Sequence, residues 1–128
     1  MGLIQERTEI SGEHGKIEAQ ALYDTGASLS FIRRDLAEQI GTPVRLPHPM
    51  RFEMGRAGDV LEVKDQIALT FAVAGITLLD SFLVADDLSE QAIVGARTMQ
   101  KWGIQLDPEH ERVIVDPQVA RLKFVAFR

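Results

Sequence analysis

Leu22-Tyr23-Asp24-Thr25-Gly26-Ala27-Ser28 places one carboxylate directly after an alternating apolar stretch and directly before Thr-Gly. A carboxylate at a strand end points into a cleft, where it can serve as a general acid or base. The Thr25 hydroxyl can bond back to the backbone and fix the loop. Gly26 permits a backbone conformation and a close approach that a side chain would block. Taken alone, the tripeptide also fits an acidic residue that starts a turn.

Other chemistry-bearing residues carry less. Ser28 and Ser30 lack a Gly-x-Ser-x-Gly setting for a nucleophile. His14, His48 and His110 fall in loops, far apart and without metal-ligand spacing, so no metal site and no cofactor is expected. Asp86-Asp87 and Asp107 to Glu111 match no calcium loop and read as solvated turns. Gly55 to Gly58 is too short for a phosphate cradle. Arg33-Arg34 reads as a solvated helix start. The absence of cysteine excludes disulfides and thiolate chemistry. A net charge of −5 argues against a nucleic-acid binder, which needs a basic face. Apolar runs are far shorter than the roughly 20 residues of a membrane helix, and no signal peptide is visible, so a cytoplasmic protein is expected.

The elements that must position Asp24 read mostly as strands. At 128 residues the chain is expected to form a single domain, residues 1–128, with a core that needs no staples. Leu3 to Ile10 and Lys16 to Tyr23 flank a turn at Ser11 to Gly15, giving an N-terminal hairpin that delivers Asp24. Arg34 to Ile40 is the best helix, with Asp35 in its first turn and Gly41 as its stop. Thr42 to Met50 holds three prolines and is extended or looped. Arg51 to Met54 and Val60 to Val63 form a second hairpin around Gly55-Arg56-Ala57-Gly58. Ile67 to Ala74 and Ile76 to Ala85 are further strands turning at Gly75. Ala92 to Val94 is a short apolar strand. Arg97 to Trp102 is a helical turn or two, stopped by Gly103. Ile104 to Leu106 and Arg112 to Val115 flank another turn, and Ala120 to Phe127 alternates again. About nine short strands and one clear helix favour an all-β barrel or sandwich.

A second motif joins the first. Ala92-Ile93-Val94-Gly95-Ala96 lies downstream, preceded by Ser81-Phe82-Leu83-Val84 and followed by Trp102-Gly103-Ile104-Gln105-Leu106-Asp107. In order, spacing and flanks the chain resembles the retropepsin-like aspartic proteases, most closely the cellular and bacterial members, from roughly Ile10 to Val115. That family pairs an Asp-Thr-Gly-Ala loop with a later apolar-apolar-Gly segment. A glycine-tipped flap hairpin lies between them, and Met54-Gly55-Arg56-Ala57-Gly58 stands in the matching place.

The resemblance implies a retropepsin-like closed barrel with a flap hairpin and one or two short helices, one lobe per chain. It implies Asp24, Thr25 and Gly26 as the catalytic loop. Ala27, Ser28, Phe52, Met54, Gly55, Arg56, Ile93 and Val94 are the substrate contacts it suggests; Phe52 also fits an ordinary hairpin core residue. It further implies a homodimer cleaving an extended polypeptide. The arithmetic agrees: one Asp-Thr-Gly and no Asp-Ser-Gly occur, so one chain cannot supply two aspartates. The chain also departs from the retroviral pattern. Ala96 and Ser28 stand where an Arg–Asp ion pair is common, and the helix at Arg34 to Ile40 is an addition. The C-terminal strand Val119 to Phe127 is a candidate for a dimer sheet or for an edge within its own chain. The rival reading is a catalytically idle module of the same fold that dimerises or binds peptides; an unrelated small β-barrel is the other.

Overall fold

A computed structural model describes residues 2–53 and 59–118. In chain order the elements are β1 (Leu3–Gly12), β2 (Gly15–Asp24), β3 (Phe31–Arg33), α1 (Arg34–Ile40), β4 (Val44–Glu53), β5 (Val60–Val73), β6 (Ile76–Ala85), β7 (Ala92–Val94), α2 (Ala96–Trp102), β8 (Ile104–Asp107) and β9 (Arg112–Val115). The main sheet runs β1-β2-β7-β3-β6-β5-β4. Ile10 and Ser11 of β1 also pair with Phe71 and Thr70 of β5. That contact closes six of the strands into a barrel and leaves β4 on its rim.

The N-terminal hairpin is tighter than its sequence indicates. β1 and β2 stay paired up to Gly12 and Gly15, so only Glu13 and His14 turn the chain. Gly15 sits at φ 155°, open to glycine and strained for other residues. At the other end Leu3 faces Asp24, so the whole ladder leads to the carboxylate.

Val60 to Val73 is one strand of 14 residues, not the two expected. Its alternation never breaks: Leu61, Val63, Asp65, Ile67, Leu69, Phe71 and Val73 all point inward. Asp65 hides the pattern because a carboxylate occupies a core-facing place. Arg34 and Arg45 neutralise it at 2.7 and 3.0 Å. Arg34 also pairs with Asp86. Arg34 is therefore a junction between α1, β5 and the end of β6, which corrects its reading as a solvated helix start. Asp86 and Asp107 are likewise partnered, the latter by His110 at 2.8 Å and Arg112 at 3.5 Å.

The proline-rich stretch belongs to β4. Its pairing with β5 shifts register between Arg45 and Met50, where Pro47 and Pro49 lie. Proline removes ladder donors, and a rim strand tolerates that loss. β3 has only three residues and escaped the periodicity reading. It lies parallel to β6 and antiparallel to β7. α1 keeps its expected bounds, whereas α2 begins at Ala96, directly after Gly95. Gly103 ends α2 in the left-handed conformation. Gly41 does not do the same for α1: its backbone is extended, and a Cβ there would meet Ile67 at 3.0 Å.

Two apolar clusters result. The barrel interior holds Tyr23, Phe71, Phe82, Val94 and Trp102, with Phe71 and Phe82 edge to face at 5.6 Å. A second cluster of Phe31, Leu61, Val63, Leu83, Ala85, Leu88 and Ile93 lies under the β4–β5 hairpin. No helix among the described residues is long and apolar enough to cross a membrane.

Candidate active site

Asp24 is the last residue of β2 and is partly buried. Its own loop orients it. The Gly26 N–H donates to Asp24 Oδ1 at 2.8 Å, and the Ala27 N–H donates to the Asp24 carbonyl at 3.2 Å. Thr25 fixes the loop as the sequence suggested, but through residues far away in the chain. Its N–H donates to the Gly2 carbonyl at 3.1 Å, and its Oγ1 accepts the Gly2 N–H at 2.9 Å. The β1–β2 ladder thus continues past the strand end and holds the loop by its flank.

The second motif sits against the first because β7 lies between β2 and β3. β7 runs parallel to β2 with Tyr23 opposite Val94, so the two motifs leave the sheet side by side. The Ala96 N–H donates to the Ala27 carbonyl at 2.6 Å, and the Arg97 N–H to the Ser28 carbonyl at 3.1 Å. Gly95 is required by this crossing. A Cβ at Gly95 would lie 2.3 Å from the Leu29 carbonyl oxygen and 2.9 Å from that of Ala27.

The expected contact residues separate by position. Thr25, Gly26 and Ser28 are exposed, and Ala27 packs partly against the second cluster. Phe52 also packs there, edge to face with Phe31 at 5.2 Å. It is partly buried there, as a hairpin core residue is. Ile93 and Val94 are 4% and 1% exposed. Val94 is sealed in the barrel interior, so in this chain its side chain is not open to a peptide. Ile93 forms the floor of the Phe31 cluster. Met54, Gly55 and Arg56 lie outside the described residues, as does the strand expected at Val119 to Phe127.

Sequence reading missed Phe31, Leu83 and Leu88, which build the apolar wall around Ile93. Ser30, set aside as a nucleophile, has a structural place instead. That residue is 3% exposed and takes the Gly95 N–H at 3.0 Å. Neither burial nor this partner leaves a local signal. A hollow of about 740 Å³ opens on the Thr25 side, lined by Gly2, Ala96, Met99, Ile104 and Leu106 among others. Among the described residues, no three His, Asp or Glu are grouped to hold a metal ion.

The arrangement is one partly exposed carboxylate, fixed by its own backbone, between an apolar wall and an open hollow. Comparisons with known proteins bear on the fold and the family. No curated protein is significantly similar in sequence. The retroviral protease-like domain of Ddi1 from Leishmania major shares the fold, with a TM-score of 0.67 and 19% identity over 91% of this chain and 90% of that one. The EIAV protease complexed with the inhibitor HBY-793 does so with a TM-score of 0.53 and 19% identity, over 83% of this chain and 93% of that one. A family model described as aspartyl protease matches residues 8–98, a span that holds both motifs and their crossing. With the closed barrel and the paired motifs in place, that match establishes that the chain belongs to the aspartyl protease family, in its retropepsin-like form.

Proposed function

We propose that the protein is an aspartic endopeptidase whose active unit is a homodimer, each chain supplying Asp24. The observation that carries the reading is the Asp24 loop itself: a partly exposed carboxylate tied to the Gly26 N–H, with Thr25 exposed beside it. One such loop is half of a two-carboxylate site. The exposed Leu3 opposite Asp24 and the hollow beside Thr25 support a second copy docking on this face.

The chemistry follows from placing two Asp24 carboxylates in contact across a twofold axis. Both cannot be charged at low cost, so one keeps its proton. The charged member takes a proton from a bound water, whose oxygen attacks the scissile carbonyl carbon. The protonated member donates to the carbonyl oxygen. Collapse of the tetrahedral adduct breaks the C–N bond: the carboxyl that took the water's proton gives it to the amine nitrogen, and the adduct returns a hydroxyl proton to the other carboxylate. The two titrations belong to the pair. An extended peptide lies between the Asp24 loop and the β4–β5 hairpin, with the partly exposed Phe52 and Ala27 facing its apolar side chains and the buried Phe31–Ile93 wall supporting them from beneath. Ser28, Met54, Gly55 and Arg56 complete the contacts in this reading. Neither metal nor cofactor enters it.

The test is digestion of a diverse peptide mixture by wild type and Asp24→Asn, at pH ~3.5 to ~7.5, a range that brackets a coupled carboxylate pair. Cleavage by wild type alone is expected. Cleavage by both variants would overturn the role of Asp24. Silence from both, with a dimer in solution, would favour the idle peptide-binding module.

A further inference from the structure

We infer that Thr98 and Asp80 are positioning residues for the Asp24 loop, acting through Ser30 along one directed chain of hydrogen bonds. The inference rests on the protease reading for its catalytic consequence, but not for its structural one. Ser30 Oγ lies 2.6 Å from Thr98 Oγ1, and Thr98 Oγ1 lies 2.6 Å from Asp80 Oδ2. Ser30 and Thr98 are each 3% exposed.

Counting protons fixes the direction. A charged carboxylate only accepts, so the single Thr98 proton goes to Asp80. Thr98 must then accept from Ser30, whose one proton is spent there. Ser30 Oγ is left as a pure acceptor for the Gly95 N–H, which it takes at 3.0 Å. Asp80 is the anchor of the chain. Its other oxygen takes the Ser81 N–H at 2.8 Å and lies 3.6 Å from Lys101 Nζ.

This chain crosses the same place as the Ala96–Ala27 and Arg97–Ser28 backbone bonds. Those two bonds join the Asp24 loop to α2. Ser30 and Gly95 bound them on either side. β6, which carries Asp80, thereby supports the crossing, and its Leu83 N–H also donates to the Ser30 carbonyl at 2.9 Å. A buried hydroxyl left without its partner destabilises its surroundings, so cutting the chain at Thr98 releases the crossing locally.

Thr98→Val keeps the shape and removes the relay; Thr98→Ser keeps the relay. Amide exchange is followed in both. Thr98→Val is expected to speed exchange at Gly95, Ala96 and Arg97 by about tenfold or more, with β5 and β6 amides unchanged, and Thr98→Ser to restore wild-type rates. On a peptide that wild type cleaves, Thr98→Val is expected to lower kcat about 10- to 100-fold with KM within about twofold, and Thr98→Ser to recover it. Asp80→Asn cuts the charge at the partly exposed end without altering a buried shape. It is expected to speed the same three amides, and this variant decides the matter where Thr98→Val does not fold. Uniform acceleration of all amides, or none at Gly95 to Arg97, would overturn the inference. So would an unchanged kcat in Thr98→Val when wild type is active. A wild type that cleaves nothing removes the protease reading, while the exchange data still decide the positioning role.

Discussion

Asp24 is held by bonds within its own loop, whereas the residue before it reaches the neighbouring strand β1. Tyr23 is fully buried, and its hydroxyl lies 2.9 Å from Thr8 Oγ1. Burial pushes its phenol up to about 12, against a smaller opposing effect of the Thr8 hydrogen bond. It is the sole tyrosine, so phenolate absorbance reports on this residue alone. Native protein is expected to form phenolate only near pH 12, and protein unfolded in urea near the ordinary value of ~10. The sign follows: above pH ~10 the unfolded chain releases a proton that the folded one keeps, so stability falls as pH rises through this window. Tyr23→Phe should lose that part of the alkaline slope. At the same scale, Gly95→Ala forces a Cβ against the Leu29 carbonyl oxygen. Overpacking of this kind costs about 1–3 kcal/mol, read from the urea midpoint.

Among the elements, the junction at Asp65 ties together α1, β4 and β5. The Arg34 guanidinium first, and Arg45 second, hold its carboxyl below the usual carboxylate range. Its stabilising contribution is therefore complete above the unfolded value of ~3.9 and is lost as pH falls through the lowered folded value. Asp65→Ala removes bonds to two charged groups and is expected to cost about 1.5–3 kcal/mol near neutral pH. Equilibrium unfolding of both proteins from pH ~7 to ~2 should show the difference shrinking in acid. A constant difference would mean that the residue acts through packing. The pairing of β4 with β5 resumes only at Met50, beyond the shifted register. Arg45 and Asp65 thus close the last paired positions before the hairpin that carries Phe52.

For the whole molecule, a site shared between two chains would make activity depend on concentration. In the homodimer reading, specific activity falls on dilution in step with dimer mass measured by sedimentation. Mixing wild type with an equal amount of Asp24→Asn redistributes chains among pairs. Activity per wild-type chain should then fall by roughly half, since mixed pairs hold one competent carboxylate. Unchanged activity in the mixture would show that one Asp24 suffices and that the pairing is not needed.

Local signals made much of this molecule legible. Alternation in Lys16 to Tyr23 and the Asp-Thr-Gly that follows gave the carboxylate its place at a strand end, and β2 ends there. Arg34 to Ile40 announced its helix by the spacing of its apolar residues, Asp35 in its first turn and Gly41 after it. The paired motifs were enough to indicate the closed barrel. What stayed hidden is what depends on partners distant in the chain. β3 is too short to show a period, and it exists because β6 and β7 lie on either side of it. The inward place of Asp65 makes sense only once Arg34 and Arg45 arrive beside it. Ser30 meets Thr98 across 68 positions, and Thr25 meets Gly2 across 23. The sequence by itself determined that the Asp-Thr-Gly carboxylate ends a strand and that the longer alternating segments are strands, because those properties are set by neighbours a few positions away. Only the tertiary structure decided how the acid's loop is held, because buried polar groups take whatever partners the closing of the barrel brings within reach.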